Sequence, residues 1–132
     1  MKPIFKFFVF LFLVSATLPL SNCVYKNAMD IYPTDTSGCK TANMSYKNDI
    51  EPIIRENHCY TCHGIDSNAT GNGIILEGYS NLLKNGVPND FIYRDITAPD
   101  GTINHMPGGY PDVDPCEILK IKAWLDQGYK NN

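Results

Sequence analysis

The sequence predicts a small all-α domain with long irregular loops. Two segments carry apolar side chains at helical spacing beside residues that begin and end helices, and a third fits two helical turns. The segments between them are rich in Gly and Pro, and they suggest at most a brief extended piece at Ile74–Leu76. With 132 residues in total, the chain has room for one such domain.

The first 22 residues have the three-part pattern of a secretory signal. Lys2 and Lys6 give a basic start, an uninterrupted apolar run covers residues 7–14, and small or polar residues follow. A retained transmembrane anchor needs about 20 apolar residues, and Lys6 and Pro19 leave this stretch too short. We predict that residues 1–22 are a signal peptide and that the protein is extracytoplasmic.

A cysteine, Cys23, directly follows this signal. The residues LSNC at positions 20–23 resemble a bacterial lipobox, although Asn22 stands where Gly, Ala or Ser is usual. In a lipobox the cysteine becomes the lipidated first residue, so we predict a periplasmic protein attached to the membrane through Cys23. The alternative is that an ordinary signal peptidase cuts after Cys23 and removes it.

A polar tether and loop at residues 23–44 precede the domain, which we expect to span residues 45–132. Asn48 and Asp49 can each cap the first helix. With Asp49 as the N-cap, Pro52 falls at the third helical position, where its missing N–H does no harm. The apolar residues of this helix follow a helical spacing: Ile50, Ile53 and Ile54.

The second half of the chain predicts two further helices separated by a long loop. A short helix is expected at Tyr79–Asn85 and ends at Gly86, and a loop rich in Pro and Gly is expected from Val87 to Val113. The last helix has the clearest signals, with Asp114 as N-cap and Pro115 at the first position. Its apolar face consists of Ile118, Ile121 and Leu125, and Gly128 ends the helix.

The charge of the chain excludes one class of function. The net charge is −3, and no run of Lys or Arg follows residue 22. Nucleic-acid-binding domains carry basic patches that neutralise phosphates. We therefore predict no nucleic-acid partner.

Residues 59–63, Cys-Tyr-Thr-Cys-His, match the Cys-x-x-Cys-His signature of covalent haem c attachment. Two thiols at this spacing match the two vinyl groups on one edge of the porphyrin, and a His directly after the second Cys can reach the iron. The motif predicts one haem c, with thioethers at Cys59 and Cys62 and His63 as the proximal iron ligand.

Three other interpretations of the motif are open. A thioredoxin-like redox pair would need a preceding strand, whereas a helix is predicted there. A zinc site needs four ligands, usually as two close pairs, and Cys39 and Cys116 are isolated in the sequence. A structural disulfide between Cys59 and Cys62 would leave His63 unexplained.

Two further cysteines, Cys39 and Cys116, remain once the motif and Cys23 are accounted for. An oxidising compartment favours joining them in a disulfide. The alternative is two buried free thiols.

The second axial ligand of the iron has to come from a segment distant in sequence. Met106 lies in the long loop and is followed by Pro107, so its thioether can be held over the distal face. Its neighbour His105 is the rival, because imidazole is a stronger donor and would lower the reduction potential. We favour Met106, since His58 adjoins Cys59, and Met29 and Met44 precede the motif in segments that we expect to lie at the periphery.

From Cys39 to Gly128 the chain resembles the class I cytochrome c domain, and as a whole it looks like a small single-haem bacterial cytochrome c lipoprotein. The resemblance rests on the haem motif, the Met106-Pro107 loop and a last helix with Trp124, Leu125 and Gly128. It implies three to four helices wrapped around one covalent haem, with His63 and Met106 as axial ligands. The implied function is electron transfer with redox protein partners, and not enzymatic catalysis.

One functional alternative belongs to another class. An open distal position, or a displaceable Met106, would make the protein a haem-based gas sensor or a peroxidase-like enzyme. The sequence offers little acid–base apparatus for such an enzyme, since His105 is the one distal imidazole.

Overall fold

A computed structural model describes residues 37–132, and in that range the protein is helical, without a β-strand. A π-helical turn at Tyr46–Ile50 leads into α1 (Glu51–Glu56), which α2 (Tyr60–His63) follows. Further along lie α3 (Tyr79–Asn85), a 3-10 turn at Pro88–Asp90 that runs into α4 (Phe91–Ile96), and α5 (Pro115–Asp126). The predicted signal peptide, Cys23 and the first part of the tether lie outside the described residues. No helix within residues 37–132 is both long and apolar enough to cross a membrane.

The first helical segment begins earlier than the sequence predicts. Ser45 is its N-cap, and the Ser45 hydroxyl accepts a hydrogen bond from the Asn48 N–H (3.2 Å). The Asp49 carboxylate in turn accepts from the Ser45 N–H (2.8 Å). Neither Asn48 nor Asp49 is therefore the cap, and that prediction was wrong. Ser45 and Asp49 form a reciprocal capping arrangement, and the wider π-helical turn sets them four residues apart.

The long segment from Val87 to Val113 is not loop throughout, because it contains α4. Ile92 and Ile96, four residues apart, are both buried. This pair gives α4 an apolar face, which packs on α5. Helix α3, by contrast, has the bounds that the sequence predicts.

Helix α5 also follows its sequence signals. The Asp114 carboxylate accepts a hydrogen bond from the Cys116 N–H (2.8 Å), as an N-cap does. Trp124 of α5 is fully buried, and its indole Nε1–H donates a hydrogen bond to the Lys130 carbonyl (3.0 Å). The largest fully buried side chains join α5 to α3 and to the first helical segment: Trp124, Ile121, Leu82, Ile50 and Ile54.

The segment before the first helix is fastened to α5. A disulfide joins Cys39 to Cys116, with the two Cα atoms 5.7 Å apart. The Gln127 side chain accepts from the Met44 N–H (2.9 Å) and donates to the Thr41 carbonyl (2.7 Å). Met44 is 5% exposed and belongs to the core, although the sequence suggested a peripheral position for it.

Candidate cofactor site

An apolar cavity of about 740 Å³ lies among the five helices of the described region. This volume is within the range of cavities that enclose small organic molecules. Residues from all five helices contribute to its lining. So do four of the residues that the sequence singles out: Cys59, Cys62, His63 and Met106.

The two motif cysteines lie one helical turn apart at α2. Cys59 is the N-cap residue of α2, and its carbonyl accepts a hydrogen bond from the His63 N–H (2.8 Å). Both residues line the cavity, and neither is in a disulfide. Burial raises the pKa of the Cys59 thiol to about 11, whereas reactive thiols of redox enzymes have a lowered pKa. The raised pKa of Cys59 is thus unlike that of a thioredoxin-type nucleophile.

The imidazole of His63 is held in one orientation by the loop that follows α2. Its Nδ1 lies 3.0 Å from the Ile74 carbonyl oxygen. A carbonyl can only accept, so Nδ1 carries the proton and Nε2 keeps its lone pair. A second hydrogen bond, from the Leu76 N–H to the His63 carbonyl (2.8 Å), fixes the same loop beside the ring. Histidine ligands of metals are commonly oriented in this way.

Gly71 allows the loop to approach this imidazole. A Cβ added at Gly71 would lie 2.3 Å from the Cys62 carbonyl oxygen and 2.5 Å from His63 Nδ1. Both distances are far below van der Waals contact, so the position admits no side chain without movement of the motif. Neither Gly71 nor Ile74 was predicted as a site residue, because no spacing in the sequence links them to His63.

Met106 reaches the same cavity from the loop after α4. Its backbone N–H donates to the Asp95 carbonyl (3.0 Å), which ties the loop to the end of α4. The side chain is partly buried and lines the cavity with His63. The chain thus brings Met106 and His63, 43 positions apart in sequence, to the lining of one cavity.

His105, the rival ligand, is directed elsewhere and does not line the cavity. Its Nδ1 lies 2.8 Å from the Ala98 carbonyl oxygen, and its Nε2 lies 3.0 Å from Asp112 Oδ1. The Ala98 hydrogen bond, together with the Asp112 carboxylate, raises the His105 pKa, against the opposing effect of burial. Both ring nitrogens therefore have partners within the loop.

The cavity lining also carries side chains that can bind carboxylates. Lys84, Arg94 and Asn104 all contribute to it. Arg94 Nε donates to Asp95 (2.8 Å), and the Arg94 guanidinium lies 4.3 Å from the centre of the Phe91 ring. These contacts hold the cation at the cavity edge.

A zinc site finds no support in the side-chain arrangement. Within residues 37–132, no three His, Cys, Asp or Glu side chains are grouped so as to hold a metal ion. Cys39 and Cys116 are bonded to each other, so neither thiol is free to join the motif cysteines.

Comparison with known proteins gives no relative for this chain. No protein-family model matches it, and neither a curated protein nor a solved structure matches significantly.

Proposed function

We propose that the protein is a single-haem c-type cytochrome that transfers electrons. One observation carries the proposal: Cys59, Cys62 and His63 of the Cys-x-x-Cys-His motif line the same apolar cavity as Met106. The class I cytochrome c fold belongs to this proposal, and the all-α architecture with long loops supports it.

The residues of the cavity suit a haem. The lining is mostly apolar, as the porphyrin is, and Lys84, Arg94 and Asn104 offer partners for its two carboxylates. Gly71 lets the following loop pack against the Nδ1 side of the His63 ring, which leaves Nε2 as the nitrogen that can bind iron. Cys59 and Cys62 would hold the haem covalently through thioethers, and His63 (proximal) and Met106 (distal) would bind its iron. The bound haem supplies a one-electron Fe(II)/Fe(III) couple.

The protein's own contribution is to hold the axial ligands and to exclude water. The Ile74 carbonyl fixes the His63 tautomer that presents Nε2 as a donor. The Asp95 carbonyl holds the Met106 backbone. Thioether ligation and an apolar surrounding both favour the ferrous state and raise the reduction potential.

Electron transfer is favoured over catalysis because the imidazoles of His58 and His105 are both engaged in other contacts. Besides His63, the described histidines are His58 and His105. His105 points away from the cavity, and His58 stacks on an aromatic ring. A peroxidase-like enzyme needs a mobile proton donor near the distal position.

The location and partners follow from the sequence. We propose that the protein is exported, that Cys23 carries a lipid anchor, and that redox proteins are its partners. A membrane anchor at residue 23 would leave the domain outside the membrane, where its haem can meet them.

The direct test is expression in a periplasm equipped for cytochrome c maturation. A haem stain on a denaturing gel and an intact mass equal to the chain plus one haem are expected for the wild type. The double variant Cys59→Ser/Cys62→Ser should lose the stain. The matched control Cys39→Ser/Cys116→Ser removes the disulfide and should keep it. A wild type without covalent haem would overturn the proposal.

A second measurement separates the carrier from a gas sensor or an enzyme. The reduced wild-type protein should show an unchanged spectrum under carbon monoxide, because Met106 occupies the distal position. Rapid carbon monoxide binding by the wild type would contradict the electron carrier and would favour a gas sensor or a peroxidase-like enzyme.

A further inference from the structure

An aromatic stack joins the haem motif to the loop that carries Met106. The rings of His58 and Tyr110 lie parallel to within 21°, with their centres 4.8 Å apart. His58 immediately precedes Cys59, and Tyr110 comes four residues after Met106. Both residues line the cavity. The stack therefore spans from the attachment side to the distal side.

The backbone of His58 adopts an unusual conformation at this contact. Its φ is 59°, in the left-handed region that residues other than Gly seldom occupy. Two backbone hydrogen bonds support the conformation, from the His58 N–H to the Arg55 carbonyl (3.1 Å) and from the Thr61 N–H to the His58 carbonyl (3.0 Å). Such conformations persist where the surroundings fix them, and they cluster at functional sites.

The loop that carries Met106 is held by hydrogen bonds on the N-terminal side of Met106. On the C-terminal side it contacts the motif through the ring stack of Tyr110 on His58. On the N-terminal side, the His105 ring is hydrogen bonded to the Ala98 carbonyl, and the Met106 N–H donates to the Asp95 carbonyl. On the C-terminal side of Met106, Tyr110 is 40% exposed, and the hydrogen bond from its N–H to the Pro107 carbonyl is long, at 3.5 Å. The ring contact with His58 is what connects this part of the loop to the motif.

We propose that Tyr110, through its stack on His58, is a positioning residue that keeps Met106 on the distal side of the haem. This inference rests on the proposed function. Loss of the stack would let the loop move away from the motif, and Met106 would yield more readily to an external ligand. A stacked aromatic pair corresponds to about a 2-fold to 10-fold change in an equilibrium constant, so a change of this size is expected.

The test is a titration of the ferric holoprotein with imidazole, followed by the loss of the band that reports methionine-to-iron ligation. Tyr110→Ala should lower the apparent Kd for imidazole by about 2-fold to 10-fold. Tyr110→Phe keeps a ring and should behave as the wild type does. Tyr129→Ala is the matched control, since Tyr129 is exposed to the same degree (41%) and does not line the cavity.

A second variant tests the partner. His58→Ala should shift the Kd in the same direction, and the double variant should shift it no further than either single variant. Independent, multiplying effects would overturn the inference. So would an imidazole affinity in Tyr110→Ala equal to that of the wild type while the methionine band is present in both. The proposed function fails separately, and the inference with it, if the wild type carries no haem.

Discussion

The close packing of Gly71 on the haem motif allows a quantitative prediction. In Gly71→Ala, the new methyl group meets the Cys62 carbonyl oxygen at 2.3 Å and His63 Nδ1 at 2.5 Å. The obstacles are a backbone atom within α2 and a ring whose Nδ1 is hydrogen bonded to the Ile74 carbonyl. Neither is the free end of a flexible side chain, so the loop itself has to move.

The cost of this movement has two parts. Overpacking in a dense interior costs about 1–3 kcal/mol. Displacement of the loop also weakens the hydrogen bond between His63 and Ile74, worth about 1 kcal/mol. We expect the free energy of unfolding to fall by about 2–4 kcal/mol, which for a domain of this size lowers the Tm by about 10–25 °C.

The assay is guanidinium denaturation of the holoprotein, monitored by circular dichroism and by the Soret band. Gly38→Ala is the control, because its Cβ would have no atom within 4 Å and its φ is not positive. Its free energy of unfolding should stay within about 0.5 kcal/mol of the wild type. A Gly71→Ala protein as stable as this control would refute the packing of the loop on His63.

Two further predictions concern the disulfide and the pH dependence of stability. Replacing Cys39 and Cys116 together with Ser should lower the free energy of unfolding by about 4 kcal/mol, since the bond closes a 77-residue separation; chemical denaturation checks this, and an unchanged midpoint would contradict it. The His105 pKa is raised above its usual 6.5 by the Ala98 carbonyl and then the Asp112 carboxylate, so its stabilisation is complete below about pH 6.5 and is lost as the pH rises through the folded-state pKa. His105→Gln should flatten the unfolding free energy across this window, and an identical slope in the variant would disprove the assignment.

The sequence predicted those helices whose ends carry their own signals. Asp114 and Pro115 mark the beginning of α5, and Gly86 follows the end of α3. Helix α4 was missed because Pro88 and Pro99 suggest loop, while its stability comes from burying Ile92 and Ile96 against a distant part of the chain. A single apolar pair four residues apart is a weak local signal, and the prolines on either side outweighed it.

The candidate site divides in the same way. Cys59, Cys62 and His63 are adjacent in sequence, and the motif identifies them directly. Met106 was selected by the position of its loop, and it does line the cavity. The residues that orient the ligands were beyond prediction: Ile74 acts through its carbonyl, a group that every residue has.

The most direct test of the central claim is the ferric absorption spectrum of the purified holoprotein in Met106→Ala, with His105→Ala as the matched variant. Met106 lines the cavity, whereas His105 is bound to Ala98 and Asp112 outside it. We expect the ferric spectrum of Met106→Ala to lose the methionine-to-iron band and to become high-spin. The spectrum of His105→Ala should remain low-spin with the band intact. A low-spin Met106→Ala protein that is unchanged from the wild type, beside a high-spin His105→Ala protein, would contradict it.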